Sequence, residues 1–222
     1  EALAQIPPDF PPLRGVIHAA GVLDDGVLFD MSLEQLERPM APKVQGAWNL
    51  HSVTRDAPLD FFVMFSSVAS VLGSPGQANY AAGNALLDSL AAWRRRRGLP
   101  ALSINWGPWA DSGMAAAVGR ADQLQSRGME LLPAQPALEL LGKLLRAAPA
   151  NLAVMDAKWS AMLRRMGGRV PPLLGELTEQ EAGVDQPAAA HATGRGSLLR
   201  AGRDLDLVVE RADLDRFGAR RP

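Results

Sequence analysis

The chain has 222 residues, the size of one large domain or of one domain with an appendage. Its 23 Lys plus Arg and 24 Asp plus Glu give a formal net charge of -1, so no overall field would attract nucleic acid or a membrane, and we expect neither as a partner. The absence of cysteine and the presence of only three histidines argue against a metal site and exclude thiol chemistry. No apolar run reaches about 18 residues and no signal peptide is recognisable, so the sequence predicts a cytoplasmic protein.

Short apolar runs alternate with segments of helical periodicity along the chain. This alternation predicts an α/β fold, a Rossmann-like parallel sheet with helices on both faces. Each run is nearly continuously apolar, as a strand must be when both of its faces are covered. The predicted strands are residues 13–18, 60–66, 101–105 and 151–155.

The first predicted helix begins at Ser32. Gln35 follows three residues later, which completes a capping box at the start of the helix. Pro39 and Pro42 should interrupt the helix, because proline removes a backbone hydrogen bond and clashes with the preceding turn. Helical periodicity then resumes, and Lys43 lies at the point of resumption.

Two further helices and a tail complete the predicted order. Residues 80–97 have apolar residues at helical spacing, arginines in the last turn and Gly98 as a terminal cap. A third helix is predicted over residues 137–146, directly after a proline. From residue 171 the apolar periodicity weakens, so residues 171–222 are predicted to be a partly disordered linker or tail. A stretch near residues 198–214 is a candidate helix within it.

Tyr80 is the only tyrosine of the chain, and it begins a helix after a loop rich in Gly, Ser and Pro. Ligands bind at the carboxyl ends of parallel strands, so Ser67 and the loop that leads to Tyr80 should border that crevice. Asn84 lies four residues after Tyr80 on the same helix face, and Lys43 leads the preceding helix. A neighbouring ammonium would lower the pKa of the phenol and a hydroxyl would hold a carbonyl oxygen, which suits proton donation during carbonyl reduction. On position alone, Tyr80 could instead be a packing residue at a helix start.

Several motifs occur in an order that is more specific than any one of them: residues 18–25 (HAAGVLDD), the helix of Lys43, and residues 65–70, 80–84 and 105–109. Together they resemble the ketoreductase domain of modular polyketide synthases, which belongs to the short-chain dehydrogenases/reductases. The resemblance implies that Tyr80 is the proton donor and that Ser67 orients the ketone. Lys43 would bind the nicotinamide ribose and tune Tyr80. Asn84 stands where ordinary members of the superfamily carry lysine, and it would support the proton relay.

The cofactor that the resemblance implies is NADPH. The residues that would line its ribose are Ala19, Ala20 and Gly21, and those that would face its nicotinamide are Gly107, Pro108 and Trp109. The small residues could instead form only a tight turn. The sequence contains no GxGxxG turn, whose helix N-terminus would hold the pyrophosphate. We therefore expect residues 1–170 to be the C-terminal part of a ketoreductase domain that lacks the first strands, inactive without an upstream cofactor-binding segment.

A further set of residues would contact the substrate and control stereochemistry. By resemblance these are Leu23, Asp24, Asp25, Pro75, Gln77, Asn79 and Met114. The Leu-Asp-Asp sequence, together with Leu72 in place of a tryptophan eight residues before Tyr80, matches the group that forms D-configured alcohols. Residues 112–125 resemble a mobile lid helix over the substrate. The acids could instead belong to a solvated loop, and the helix could be an ordinary surface helix.

The function that the resemblance implies is NADPH-dependent reduction of a β-ketoacyl thioester on an acyl carrier protein. The expected partners are that carrier-bound substrate, the upstream ketoreductase segment and other polyketide synthase domains. One alternative is a structural, ketoreductase-like module that only braces neighbouring domains, although such a module would be expected to lack the proton-transfer residues. A sugar-nucleotide epimerase is disfavoured because its helix would carry Tyr-x-x-x-Lys.

Overall fold

The structure is a computed structural model that describes residues 5–7, 9–110, 121–147, 149–159, 161–162 and 208–210. The strands are β1 (Gly15–His18), β2 (Phe61–Ser67), β3 (Leu102–Trp106), β4 (Met129–Glu130), β5 (Asn151–Ala157) and β6 (Val208–Glu210). The helices are α1 (Leu33–Met40), α2 (Gly46–Thr54), α3 (Ala69–Leu72), α4 (Ala78–Arg96), α5 (Ala121–Ser126) and α6 (Ala134–Ala147). A 3-10 turn (Leu28–Asp30) precedes α1, and a π-helical turn (Ala41–Gln45) joins α1 to α2.

The described strands form one sheet with the order β1-β2-β3-β5-β4, and β6 also pairs with β5. The pairs β1 with β2, β2 with β3, and β3 with β5 are parallel, whereas β4 and β6 run antiparallel to β5. Each of the four predicted strands is present within two residues of its predicted bounds. The predicted Rossmann-like parallel α/β architecture is therefore confirmed.

Helices cover both faces of the sheet, and β2 shows why. Successive side chains of a strand point to opposite faces. Phe62 and Met64 pack on one face with α2 and α4, where Leu87 is a fully buried partner. Val63 points to the other face and packs with α6, including Leu140. Each large aliphatic side chain buried in this way contributes about 1.5–3 kcal/mol, so both faces stabilise the sheet.

The predicted capping box is present at the start of α1. The Ser32 hydroxyl accepts the N–H of Gln35 at 3.1 Å, and the Gln35 side chain accepts the N–H of Ser32 at 3.4 Å. The predicted interruption takes the form of a π-helical turn between α1 and α2. Pro39 stays within α1, and Pro42 is the second residue of the π-helical turn, in which Gly46 donates to the carbonyl of residue 41. The wider turn leaves room for the proline ring, so the chain continues into α2 although proline has no N–H to donate.

Other element bounds differ from the prediction by a few residues. α4 begins at Ala78, and α6 begins at Ala134 with its proline inside the first turn, where proline is tolerated. Val208–Glu210 form a strand on β5 instead of the predicted helix, since two consecutive valines favour an extended backbone beside an available edge. The remainder of residues 171–222 lies outside the described residues. None of the described helices is both long and apolar enough to cross a membrane.

Two glycines with positive φ differ in how closely the backbone packs around them. Gly128 has a φ of 84°, and a Cβ there would lie 2.9 Å from the backbone of Lys158 and of Met162. Gly98 has a φ of 73° after α4, with nothing within 4 Å of the same position. Alanine adds left-handed strain of about 1–2 kcal/mol at either glycine, but only Gly128→Ala also forces backbone atoms apart. We expect urea denaturation to show a larger loss of unfolding free energy for Gly128→Ala than for Gly98→Ala. Equal losses would contradict the close packing.

Candidate active site

A cavity of about 350 Å³ lies at the carboxyl ends of β2 and β3. Ser67, the last residue of β2, contributes to its wall, and so do Lys43 from the π-helical turn and Tyr80 from the first turn of α4. The topology of a parallel sheet places ligands at this end of the strands. Three of the four residues predicted for proton transfer therefore line one cavity.

Lys43 is almost fully buried, with 2% of its surface exposed. Its Nζ donates to the backbone carbonyl of Phe65 at 2.9 Å and lies 5.5 Å from the centre of the Tyr80 ring. Burial lowers the pKa of Lys43 to about 8, although the Asp88 carboxylate opposes this and raises it. An ammonium has three hydrogens to donate, so two remain after the bond to Phe65.

Tyr80 is buried at the start of α4, where its N–H donates to the Asn79 side chain at 2.8 Å. Burial raises the pKa of Tyr80, while the hydrogen bonds that Ser67 and Asn84 offer to the phenolate oppose this rise. The sequence predicted that the Lys43 ammonium would lower the pKa, so the predicted direction is wrong. Burial dominates because it penalises the charged phenolate. The phenol is therefore fully protonated at neutral pH and available as a proton donor.

Ser67 and Asn84 differ in their position relative to the cavity: Ser67 lines it and Asn84 does not. The Ser67 hydroxyl oxygen accepts the N–H of Ala69 at 3.2 Å, and its one hydrogen can be donated either to the Tyr80 oxygen or to a ligand in the cavity. Asn84 is fully buried behind the cavity wall, and its Nδ2 donates to the backbone carbonyl of Tyr80 at 2.8 Å. Its Oδ1 accepts no hydrogen bond from any residue that the structure describes. Asn84 thus keeps one unused acceptor beside Tyr80.

The predicted stereocontrol residues come from two loops that the structure brings together. Leu23 and Gln77 line the cavity. The Gln77 side chain donates to the Asp25 carboxylate at 3.1 Å, and the Asn79 side chain donates to the Asp24 carbonyl at 2.8 Å. The Leu-Asp-Asp sequence is therefore bound directly to the segment that leads into Tyr80.

The other two predicted stereocontrol residues are placed differently. Pro75 is exposed and does not line the cavity. Met114 and the rest of residues 112–120 lie outside the described residues. The end of the predicted lid helix is described as α5, and Leu124 of α5 lines the cavity.

Some of the residues predicted to contact a cofactor line the cavity, and others do not. Ala19 lines the cavity, whereas Ala20 and Gly21 do not. The three residues predicted to face the nicotinamide all line it: Gly107, Pro108 and Trp109. Gly107 has a packing role as well, because a Cβ there would lie 3.2 Å from the Met155 side chain on β5. Packing against Met155 therefore explains the small size of Gly107 as well as the predicted approach of a nicotinamide does.

Sequence reasoning identified Trp109 but missed the two aromatic residues beside it in the cavity wall, Phe65 and Trp106. Phe65, Trp106 and Trp109 contact one another, with ring centres 5.1–6.3 Å apart. The Trp106 Nε1 is buried and donates to none of the described residues. Reasoning also missed that Ser103 and Asn105 are buried polar residues of β3. Their alternation within an otherwise apolar strand was the available signal.

The lowered pKa of Lys43 predicts a pH dependence of folding stability. Its pKa is about 8 in the folded chain and 10.5 without burial, so the unfolded chain binds more protons between these values. Stability should therefore rise with pH from about 8 to about 10. Tyr80, whose folded pKa is raised above 10.0, acts in the opposite direction only above pH 10. We expect Lys43→Met to remove the rise in urea denaturation, while Lys143→Met at an exposed site should retain it. Parallel pH profiles for wild type and Lys43→Met would contradict the burial of the ammonium.

Comparison with known proteins places this geometry in a family. Residues 1–111 match the family model described as KR domain. Spectinabilin polyketide synthase system protein NorB of Streptomyces orinoci is 45% identical over 194 residues, which are 86% of this chain and 9% of that protein. Phenolphthiocerol synthesis polyketide synthase type I Pks15/1 of Mycobacterium marinum is 42% identical over 218 residues, 93% of this chain and 10% of that protein.

A solved structure of A-type ketoreductases from a modular polyketide synthase matches with a TM-score of 0.77 and 39% identity, over 82% of this chain and 38% of that chain. The chain thus spans about a tenth of these two curated relatives and well under half of the solved ketoreductase. The match to the KR domain model extends over half of the chain. The chain therefore belongs to the KR domain family, the family of polyketide synthase ketoreductases.

Proposed function

We propose that this chain supplies the catalytic residues of an NADPH-dependent ketoreductase. The enzyme acts in the cytoplasm and reduces a β-ketoacyl thioester, held on an acyl carrier protein, to a D-β-hydroxyacyl thioester. The observation that supports this most directly is that Ser67, Tyr80 and Lys43 line one cavity at the carboxyl ends of β2 and β3. A hydroxyl, a phenol and an ammonium together can hold a carbonyl oxygen and protonate it.

The reaction adds two hydrogens to a ketone, and the protein's residues handle the one that arrives as a proton. The Ser67 hydroxyl donates to the carbonyl oxygen and fixes its position. Tyr80, kept protonated by burial, transfers its proton to that oxygen as negative charge develops there. NADPH, when bound, supplies hydride to the carbonyl carbon. Once the product oxygen carries that proton, the single Ser67 hydrogen and the Asn84 amide can donate to the phenolate, and both lower the pKa of Tyr80.

The residues present fit the nicotinamide and ribose end of NADPH. Lys43 donates one hydrogen to Phe65 and keeps two for ribose hydroxyls, and the methyl side chain of Ala19 leaves space in the cavity wall. No GxGxxG turn occurs in the sequence. We therefore assign residues 1–170 to the C-terminal part of the domain and the pyrophosphate site to a separate, upstream segment, without which the chain is inactive.

The stereochemical assignment is supported by the loop geometry. The face of the nicotinamide is fixed by its site, so the product configuration depends on how the ketone lies against Tyr80 and Ser67. Leu23 and Gln77, one from each of the two linked loops, line the cavity beside Tyr80. The multidomain polyketide synthases to which the chain is similar support a carrier-bound substrate and neighbouring synthase domains as partners.

Tyr80→Phe in a complete ketoreductase domain should reduce the rate of β-ketoacyl thioester reduction by at least about 100-fold, because only the phenolic proton is lost. NADPH consumption in the presence of the thioester measures this rate. Thermal unfolding of the variant should match wild type, since the ring remains in place. A near wild-type rate would refute the role of Tyr80. An inactive wild-type domain would instead favour the structural-module alternative.

The proposed configuration predicts that the complete domain forms the D-alcohol, which is 3R where substituent priorities are ordinary. Chiral chromatography of the reduced thioester measures the ratio of the two products. Predominant formation of the L-alcohol would overturn the stereochemical assignment while leaving the reductase assignment intact.

A further inference from the structure

A buried carboxylate lies behind the catalytic residues, on the same face of α4 as Asn84. Asp88 follows Asn84 by four residues, and 9% of its surface is exposed. Its Oδ2 accepts hydrogen bonds from Ser70 at 2.7 Å and from Asn105 at 2.8 Å. Its Oδ1 accepts from the Ser103 hydroxyl at 2.6 Å. Asp88 therefore joins α4 to β3 and to the segment that follows β2.

This hydrogen-bond network reaches the backbone that carries Ser67. The Ser70 hydroxyl has one hydrogen, which lies between two acceptors: the Asp88 carboxylate and the Ser67 carbonyl oxygen, 2.9 Å away. The Asn105 Nδ2 lies 3.3 Å from the same carbonyl and 3.1 Å from the Ser66 hydroxyl. Ser70 and Asn105, which both contact Asp88, thus fix the turn that carries Ser67 in the cavity wall.

Lys43 packs against α4, where a Cβ at Gly83 would lie 3.7 Å from the Lys43 Cβ, and the charge of Asp88 on the same helix acts on the ammonium. Two other titratable groups face this ammonium, His18 from β1 and Tyr80 from α4, while β2 contributes the carbonyl of Phe65. Burial and the nearby ammonium lower the pKa of His18, so its ring is neutral at neutral pH. The Tyr80 phenol is neutral as well. Among these described neighbours Asp88 is the anion, and it raises the pKa of Lys43 against the effect of burial.

A neutral asparagine could keep two of the three hydrogen bonds, those from Ser70 and Asn105, at a lower cost of burial. Burying a carboxylate costs several kcal/mol unless paired charge and hydrogen bonds offset it. An asparagine at this position would have nearly the same shape and would retain one acceptor oxygen. A carboxylate at position 88 has one further effect that asparagine lacks: its negative charge stabilises the Lys43 ammonium.

We propose that Asp88 is a positioning residue of the active site: it fixes the turn of Ser67 through Ser70 and Asn105, and its negative charge keeps Lys43 in the ammonium form. This inference rests on the proposed ketoreductase function for its effect on turnover. The effect on Lys43 itself is independent of turnover.

Asp88→Asn and Ser103→Ala separate the charge from the hydrogen bonds. The first variant removes the charge and replaces one acceptor oxygen by an NH2 group, whereas the second removes the hydrogen bond from Ser103 and keeps the charge. Titration of isotopically labelled lysine by NMR in the complete domain measures Lys43 directly. The chain has only Lys43, Lys143 and Lys158 as lysines, and Lys43→Arg identifies the resonance.

We expect Asp88→Asn to lower the pKa of Lys43 by about one unit, as loss of a nearby opposite charge does. The alkaline limb of the pH profile of kcat/KM should move down with it, and kcat/KM at pH 8 should fall about 5-fold, as the ammonium fraction does. Ser103→Ala should leave the Lys43 titration and the pH profile unchanged. Asp88→Glu, which retains the charge, should restore the titration to near its wild-type position.

An unchanged Lys43 titration in Asp88→Asn overturns the inference. Failure of both Asp88 variants to fold also overturns it, because the residue would then be required for folding and not for tuning the site. Failure of the proposed function has a different signature. In that case the wild-type domain does not reduce the thioester, while the Lys43 titration still shifts in Asp88→Asn.

Discussion

Burial of one ammonium group sets the arrangement of this site. Lys43 reaches the cavity from the π-helical turn that contains Pro42 and joins α1 to α2. The ammonium then loses its hydration, and burial lowers its pKa to about 8. The Phe65 carbonyl and the Asp88 carboxylate offset this cost from β2 and α4. The strand, the helix and the turn must therefore keep their relative positions for the charge to remain buried.

Local chemistry was sufficient to predict most of the fold. Continuous apolar runs identified the four parallel strands, and Ser32 with Gln35 identified the start of α1. The rule that ligands bind at the carboxyl ends of parallel strands placed Ser67 and Tyr80 at one cavity. The π-helical turn was missed because proline is read locally as a helix breaker, whereas packing of the turn beside α4 keeps this helix continuous.

What sequence could not supply was the balance between opposing effects. The pKa of Tyr80 depends on burial, which raises it, and on hydrogen bonds from Ser67 and Asn84, which lower it. Residue types alone indicate that each effect exists but not which one is larger. The role of Asp88 has a similar origin, because its donors, Ser103 and Asn105, are recognisable as polar but acquire a partner only through the packing of α4 on β3.

Asn79 connects the two loops that border the substrate side of the cavity. Its Oδ1 accepts the N–H of Tyr80, while its Nδ2 donates to the carbonyls of Asp24 and of Gln35 at 2.8 Å each. A backbone hydrogen bond of 2.9 Å from Gly26 to the other loop reinforces this link. The residue beside the catalytic phenol is therefore held by the same loop that contributes Leu23 to the cavity wall. A change in either loop alters both the wall that the ketone contacts and the start of the helix that carries its proton donor.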